Sequence, residues 1–301
     1  WVIRLLAQVR DVAREAVIDL VANTYGGYLA ALQNPGWRIQ MGENLERLLN
    51  RMIADGLIDQ EGDNLRLTML GRACGESPLS LESAMRLVEI LQRIEPGNAT
   101  LENLLALIEC LPERDEDYTP QSGKNGEPRW QQEAGARFGF NITRSLSHRA
   151  DSDVAFYGRC KRALIVSDWI AGEPTTDIEA RYSSNAFSRV GHGDIRGFAD
   201  GSRFLFDSAL RIAAIVLGRA HDQEAAALLL TRLDLGLPAD ALPLSSVSFP
   251  LTRGEILSLY RAGHRDKDTI LALTAAQLTA IIGRRGDALY QALQLVPERG
   301  A

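Results

Sequence analysis

The stretch Arg159–Leu217, RCKRALIVSDWIAGEPTTDIEARYSSNAFSRVGHGDIRGFADGSRFLFDSALRIAAIVL, decides how the chain is read. Its last part predicts one long helix from about Asp194 to Leu217, entered through a Gly191-His192-Gly193 turn, with Asp194 as the capping residue. Ile195, Phe198, Ala199, Leu205, Phe206, Ala209, Ile212, Ala213 and Val216 recur at helical spacing and predict a buried face. The opposite side carries Arg196, Asp200, Arg203, Asp207 and Arg211. Phe204 falls at the edge of that charged stripe, about 80° from Arg196 at roughly 100° per residue, so the core does not claim it. An aromatic ring among arginines suits stacking on a nucleic-acid base. The competing reading packs Phe204 on a neighbouring helix and makes the Arg/Asp stripe a solvated face of i,i+4 pairs.

Working toward the N-terminus, Trp1 to Leu32 predicts two helical segments with Gly26-Gly27 near a break, and Asn34-Pro35-Gly36 is a turn. From Gly42 the run ENLERLLNRMIADGLID places Leu45, Leu48, Leu49, Met52 and Ile53 on one helical face and ends at Gly56. A hairpin follows, Leu57-Ile58-Asp59, a turn at Glu61-Gly62-Asp63-Asn64, then Leu65-Arg66-Leu67-Thr68. Together these make a winged-helix signature. Its helix is a poor major-groove reader, because Glu43, Glu46 and Asp55 stand against only Arg47 and Arg51. Helices are predicted over Leu81–Arg93 and Thr100–Cys110, and Pro112–Arg129 is expected to be an exposed or partly disordered insertion. Arg144, His148 and Arg149 bring positive charge ahead of Arg159, Lys161 and Arg162, while Trp169, after an apolar run, is expected in the core.

Beyond the long helix, Glu224–Leu235 predicts a helix stopping near Gly236, and a small domain begins at Pro243. It contains Phe249-Pro250-Leu251-Thr252-Arg253 leading into EILSLYRAG, and Gly283-Arg284-Arg285-Gly286 ahead of a last helix. Two glycines and two arginines before a helix start suit a backbone phosphate, which free amides and the helix dipole favour. The first turn carries Leu251-Thr252-Arg253 where glycines would be wanted. A compact helical lid with no ligand is the alternative for both turns.

With 301 residues, 46% hydrophobic and 24% charged, the composition is that of a globular chain of two or three units, and it predicts a cytoplasmic protein without signal peptide or membrane span. Cys74, Cys110 and Cys160 show no CxxC pair and predict buried thiols rather than disulfides or zinc ligands. The histidines His148, His192, His221 and His264 are dispersed, so neither a metal site nor a catalytic constellation is expected. A net charge of −6 excludes coating of nucleic acid by bulk charge and leaves only local patches. No GxxxxGK[ST] phosphate loop occurs, so no ATP site is expected in this chain.

The helix ending in Asp168-Trp169-Ile170, the Ile178 to Tyr182 segment and the Gly193-Asp194-Ile195-Arg196 opening of a long helix resemble the ratchet bundle of Ski-like superfamily 2 DNA helicases, of the archaeal repair helicase and HELQ types. Thr68–Arg72 followed by Ser80–Ala84 is similar to that family's passage from winged helix into bundle, and Ala227–Pro238 to its closing helix. The resemblance implies a mainly α chain with a winged-helix region over 1–78, a helical ratchet bundle over 79–239 and a helix-hairpin-helix domain over 240–301. It implies the accessory module of an ATP-dependent 3′-to-5′ DNA helicase, with ATP and Mg²⁺ held by motor domains outside this chain, which would then be the C-terminal part of a longer protein. Partners implied are single-stranded or forked DNA, with RNA as the alternative, the motor domains, and a nuclease or other protein. Phe204 stands where the family has a stacking tryptophan, and Gly197 where it has an arginine, with Arg196 as the neighbouring substitute. Candidate nucleic-acid contacts are therefore Arg196, Arg203, Phe204, Arg211, Arg253, Gly283, Arg284 and Arg285, with no catalytic or metal residue. The other classes are a protein-interaction scaffold of a bacterial defence or repair complex and a winged-helix regulator that reads duplex DNA.

Overall fold

The structure is a computed structural model that describes residues 2–9 and 11–294. It is mainly helical, with one small three-stranded sheet among the described residues. No helix among the described residues is long and apolar enough to cross a membrane. The chain divides into two compact units, residues 1–96 with 207–220, and residues 97–206 with 221–301.

The first unit opens with α1 (Val2–Gln8), a short β1 (Val12–Ala13), α2 (Arg14–Ala22), α3 (Tyr25–Gln33) and α4 (Trp37–Ala54). It continues with the hairpin β2 (Ile58–Glu61) and β3 (Asn64–Leu67), then α5 (Met69–Glu76) and α6 (Leu81–Leu91). The sheet is antiparallel in the order β1-β3-β2, with Val12 opposite Leu65 and Ile58 opposite Leu67. Along β3, Leu65 and Leu67 turn inward while Asn64 and Arg66 face out, the period-two alternation of a one-sided sheet. Below it lie Leu45, Leu49 and Met52 of α4, the face expected from sequence. α4 starts five residues earlier than expected. Asn34 explains this, because its side chain accepts from Gly36 N at 3.0 Å and its carbonyl from Trp37 N at 2.9 Å, which turns the chain directly into the helix.

The second unit contains α7 (Leu101–Leu107), α8 (Pro112–Asp115), α9 (Arg129–Phe138), α10 (Phe140–Leu146), α11 (Asp153–Ala171) and α12 (Thr175–Tyr182). The long α13 (His192–Val216) begins in this unit and ends in residues assigned to the first. Then come α14 (Gln223–Leu235), α15 (Arg253–Arg261), α16 (Lys267–Leu271), α17 (Ala275–Ile282) and α18 (Gly286–Gln294). Helix α11 is the axle, packed by α7, α9, α10, α12 and α14, and it is buried all round. Leu164, Ile165, Val166, Trp169 and Ile170 are buried, and so are Arg159, Lys161, Arg162 and Asp168. Residues between Leu237 and Leu293 share a hydrophobic cluster of their own, built on Leu244, Ile256, Leu259, Ile270, Leu278 and Leu289.

Three expectations change. The segment after Pro112 is only partly an exposed loop: Pro112–Asp115 form α8 and Arg114, Pro120 and Glu127 are buried, while Tyr118 and residues 123–125 are exposed. Arg159, Lys161 and Arg162 do not extend a positive surface, because they are buried in α11. Helix α13 starts at His192, two residues early. Asp194 stands in its first turn, and its carboxylate reaches back to accept from Gly191 N at 2.8 Å, where an N-cap would have faced forward. The predicted inner face of α13 holds, with Ile195, Phe198, Ala199, Leu205, Phe206, Ala209, Ile212 and Ala213 buried and Val216 partly so. Cys74, Cys110 and Cys160 are buried thiols outside any disulfide, as expected. Burial pushes the Cys74 thiol up to about 11 and Cys160 to about 12, so neither is a ready nucleophile.

The densest polar point is Glu109, fully buried between two arginines. Arg162 Nε donates to Oε2 at 2.6 Å, Arg114 Nη2 to Oε1 at 3.1 Å, and Ser202 Oγ to Oε1 at 3.0 Å. Burial alone would raise the Glu109 pKa, but the charges of Arg114 and Arg162 outweigh it and hold the carboxyl below its usual value. A carboxyl depressed in the folded state contributes stability that is present above its unfolded pKa of about 4.3 and is lost as pH falls below it. Glu109→Gln leaves the buried Arg162 guanidinium without a counter-charge and Arg114 with Asp117 alone, and should cost about 3–5 kcal/mol in urea unfolding at neutral pH. The variant should also lose stability less steeply than wild type between about pH 5 and pH 3. A cost under about 1 kcal/mol would show that the cluster does not hold the bundle.

Candidate functional site

The candidate residues fall at three places. The first is the outer face of α13. Phe204 is 66% exposed, and Arg203 beside it is exposed with no ion pair among the described residues. Arg196 is committed elsewhere. It donates to Asp200 at 3.2 Å and to the backbone carbonyl of Asp234, with a further contact to the Asp234 carboxylate at 3.4 Å. Its guanidinium carbon also lies 6.0 Å from the Trp169 ring. It ties α13 to the end of α14. Arg211, in the part of α13 that belongs to the first unit, is exposed and pairs with Asp207 at 2.7 Å. The i,i+4 pairs of the solvated-face reading thus exist, and Arg203 with Phe204 stands outside them.

The second place is the turn between α17 and α18. Gly283 takes a φ of +72° as α17 ends, Arg284 is exposed, and no side chain caps the single turn over Gly283–Arg285. Gly286 is buried, and a Cβ there would stand 2.3 Å from Thr279 N, so only glycine lets α18 cross α17 this closely. Arg285 turns inward. It donates to Glu255 at 3.0 Å and to Pro250 O at 2.6 Å, and its guanidinium carbon lies 4.9 Å from the Phe249 ring centre. Of the two arginines, only Arg284 is exposed.

Arg253 is the third. Its guanidinium lies 4.1 Å over the Trp169 ring and donates to Gly236 O at 2.7 Å, Glu173 O at 2.7 Å, Trp169 O at 3.3 Å and Thr175 Oγ1 at 3.2 Å. Burial first, then the charge of Arg261, lowers its pKa to about 10, so it stays protonated at neutral pH. Four donors spent on the chain's own oxygens make this arginine a clasp between α11, α14 and α15. Gly236 completes it: its φ is +65°, and a Cβ would meet the Trp169 ring at 2.3 Å. The N-terminus of α15 is closed as well, since Thr252 and Glu255 form a reciprocal capping box. The turn lacking glycines therefore offers fewer free amides than the one at Gly283.

Beside the clasp lies a cleft of about 970 Å³, with Trp169, Leu235, Phe249 and Leu257 on its walls and His192, Arg196 and Arg261 among its polar groups. Sequence reasoning missed it, because its walls come from several separate segments of the chain that share no motif. It also missed the loop holding Phe187 and the exposed face of α3, Tyr25, Tyr28, Leu29 and Leu32. The α3 face was legible, since those positions follow helical spacing, but periodicity alone reads as core.

Comparison with known proteins adds no relative: no family model matches the chain, and no curated protein matches it significantly.

Arg253→Ala removes four charge-assisted hydrogen bonds and the cover of Trp169, and should destabilise the chain by at least about 2 kcal/mol in urea unfolding. Arg253→Lys should recover only part of that, because one ammonium cannot span the four acceptors. An unchanged midpoint for the alanine variant would free Arg253 for a ligand.

Proposed function

We propose that this chain is a nucleic-acid-binding accessory module of an ATP-dependent 3′-to-5′ DNA helicase of the Ski-like superfamily 2 type, guiding the unwound single strand. Motor domains outside the described chain would supply ATP hydrolysis with Mg²⁺. The observation that carries the reading is the exposed Phe204 ring beside the uncommitted Arg203, on a helix whose opposite face is buried. A helix anchored along its inner face holds the ring in place before a base arrives, so little ordering cost remains at binding. Stacking then contributes roughly 1–3 kcal/mol per base and does not depend on sequence.

Two further arrangements support the reading. Helix, short strand, helices and a hairpin, joined in one antiparallel sheet, is the element order of a winged helix over residues 1–78. On the same reading residues 79–239 form the ratchet bundle, and 240–301 a helix-hairpin-helix domain in which the Gly283-Arg284 turn grips a backbone phosphate. Residues 295–301 of that domain lie outside the described residues. Arg196, Arg253, Arg285 and Arg211 serve mainly as structural partners on this account, leaving Arg203, Phe204, Gly283 and Arg284 as the contacts.

One observation favours a second reading, a protein-interaction scaffold. Tyr25, Tyr28, Leu29 and Leu32 form an exposed apolar stripe on α3, and no charged residue occurs from Thr24 to Trp37. Exposed apolar patches of this kind mark protein–protein interaction sites. A motor domain seated there would satisfy both readings.

Binding to a fluorescein-labelled dT20 strand, followed by anisotropy, tests the proposal. The chain should bind this strand more tightly than a blunt duplex, and Phe204→Ala should weaken it about fivefold while Phe204→Trp restores it. Arg284→Ala should flatten the dependence of log K on log salt by about 0.7, the contribution of one phosphate contact on a single strand. The chain alone should not turn over ATP with or without DNA. No binding to dT20 at low salt would overturn the proposal and leave docking through α3 as the better reading.

A further inference from the structure

The most exposed large apolar side chain among the described residues is Phe187, 96% exposed, on the loop between α12 and α13. One exposed apolar residue means little by itself. This one stands on a braced loop. The Asn185 side-chain oxygen accepts from Phe187 N at 2.8 Å and Ser188 N at 3.0 Å, and its amide nitrogen donates to Ser122 Oγ at 2.9 Å. Ser184 donates to Glu127 and accepts from Arg129 at 2.8 Å, while Ser183 Oγ accepts from Val190 N at 3.0 Å. The loop is thus fastened to the segment 122–129 at several points, and the ring is held in solvent rather than left to fold back.

The two segments that meet here carry cations and no acidic residue of their own. From Tyr118 to Gly126 and from Ser183 to Gly193 there is no acidic residue, while Lys124 and Arg189 are exposed and make no ion pair among the described residues. Arg129 adds a partly exposed cation. Of the flanking carboxylates, Glu127 is buried and occupied by Trp130 Nε1 at 3.1 Å, Ser122 N at 3.3 Å, Arg129 at 3.2 Å and Ser184, and Asp194 accepts from Gly191 N at 2.8 Å. In a chain of net charge −6 this is a local positive surface with a ring at its tip. An apolar protein partner would not select for the cations, and an acidic one would not need the ring. A single nucleic-acid strand uses both, a base face for the ring and phosphates for the cations.

We infer that the Phe187 loop, with Lys124 and Arg189, is a second contact for single-stranded nucleic acid, separate from Phe204 on α13. This rests on the proposal that the chain holds a single strand, but on different residues. The rigid bracing means that binding need not order the loop, so the full stacking contribution is realised.

The test uses the whole chain and labelled dT20. Phe187→Ala should weaken binding about fivefold and Phe187→Trp should restore it, with unchanged thermal unfolding because the ring packs on nothing. Lys124→Ala and Arg189→Ala should each flatten the salt dependence of log K by about 0.7 and leave the Phe187 effect intact. Phe187→Ala binding like wild type while Phe204→Ala is weakened overturns this inference alone. Loss of binding in Phe187→Ala with Phe204→Ala unaffected supports it and removes the α13 contact. A wild-type chain that ignores dT20 overturns both.

Discussion

Four ionisable side chains buried on one helix govern the second unit. Arg159, Lys161, Arg162 and Asp168 all project from α11 into the bundle, and removing each ion from water costs several kcal/mol unless it is matched. Arg159 meets Asp115 through two bonds of 2.7 Å and the carbonyls of Leu146 and His148 at 2.8 Å. Arg162 meets Glu109, and Asp168 accepts from Arg137 at 2.9 Å, Tyr182 at 2.8 Å and Arg181 at 3.1 Å. Lys161 donates to Pro120 O, lies 3.6 Å from Glu127 and sits 5.2 Å from the Trp130 ring, and burial brings its pKa down to about 8 despite the attraction of Glu127. Shifting α11 by one residue would strand all four groups at once. The helix is therefore held in one register by charge as well as by packing.

Those matches place everything the function reading uses. Glu109, Arg114 and Glu127 turn inward as partners of the buried charges, and between the last two Ser122 meets the loop of Phe187 through Asn185. Asp168 anchors α12 through Arg181 and Tyr182, and the Tyr182 ring stacks on Trp130 at 5.1 Å. Arg114 Nη2 donates to Phe198 O at 3.1 Å and Ser202 joins Glu109, which turns α13 so that Phe204 faces out. Trp169, the last large residue of α11, supports Arg253 and donates to Leu233 O at 2.8 Å, binding the final helices to the bundle. Rings are thus presented to solvent from a frame made rigid by buried ion pairs.

The division of labour among the arginines follows from geometry. A guanidinium has five donors in a planar fork and can satisfy several carbonyls at once, so it is a good internal clasp. Arg253 and Arg285 are spent this way, and Arg196 nearly so. Arg203 and Arg284 stay exposed and outside any ion pair among the described residues, and the proposed strand contacts rest on these.

Much of the fold was legible locally. The buried face of α13, the Leu57–Leu67 hairpin, the buried cysteines and the stop of α14 at Gly236 each follow from spacing or from one residue's backbone preference, so the sequence determined them by itself. The exposure of Phe204 was legible too, because helical phase alone placed it off the core. The fate of Arg159, Lys161, Arg162, Arg253 and Arg285 was not. A cation in a sequence reads as surface, and only a carboxylate or carbonyl brought from far along the chain, 44 residues between Arg159 and Asp115 and 53 between Arg162 and Glu109, turns it inward. Phe187 was hidden for the complementary reason: a lone ring in a polar loop has no period, and only bonds to a segment 63 residues earlier decide that it is held out in water. Local periodicity set the helices and their apolar faces, while the partners of buried charge and the bracing of loops depend on long-range approach, which only the tertiary structure decides.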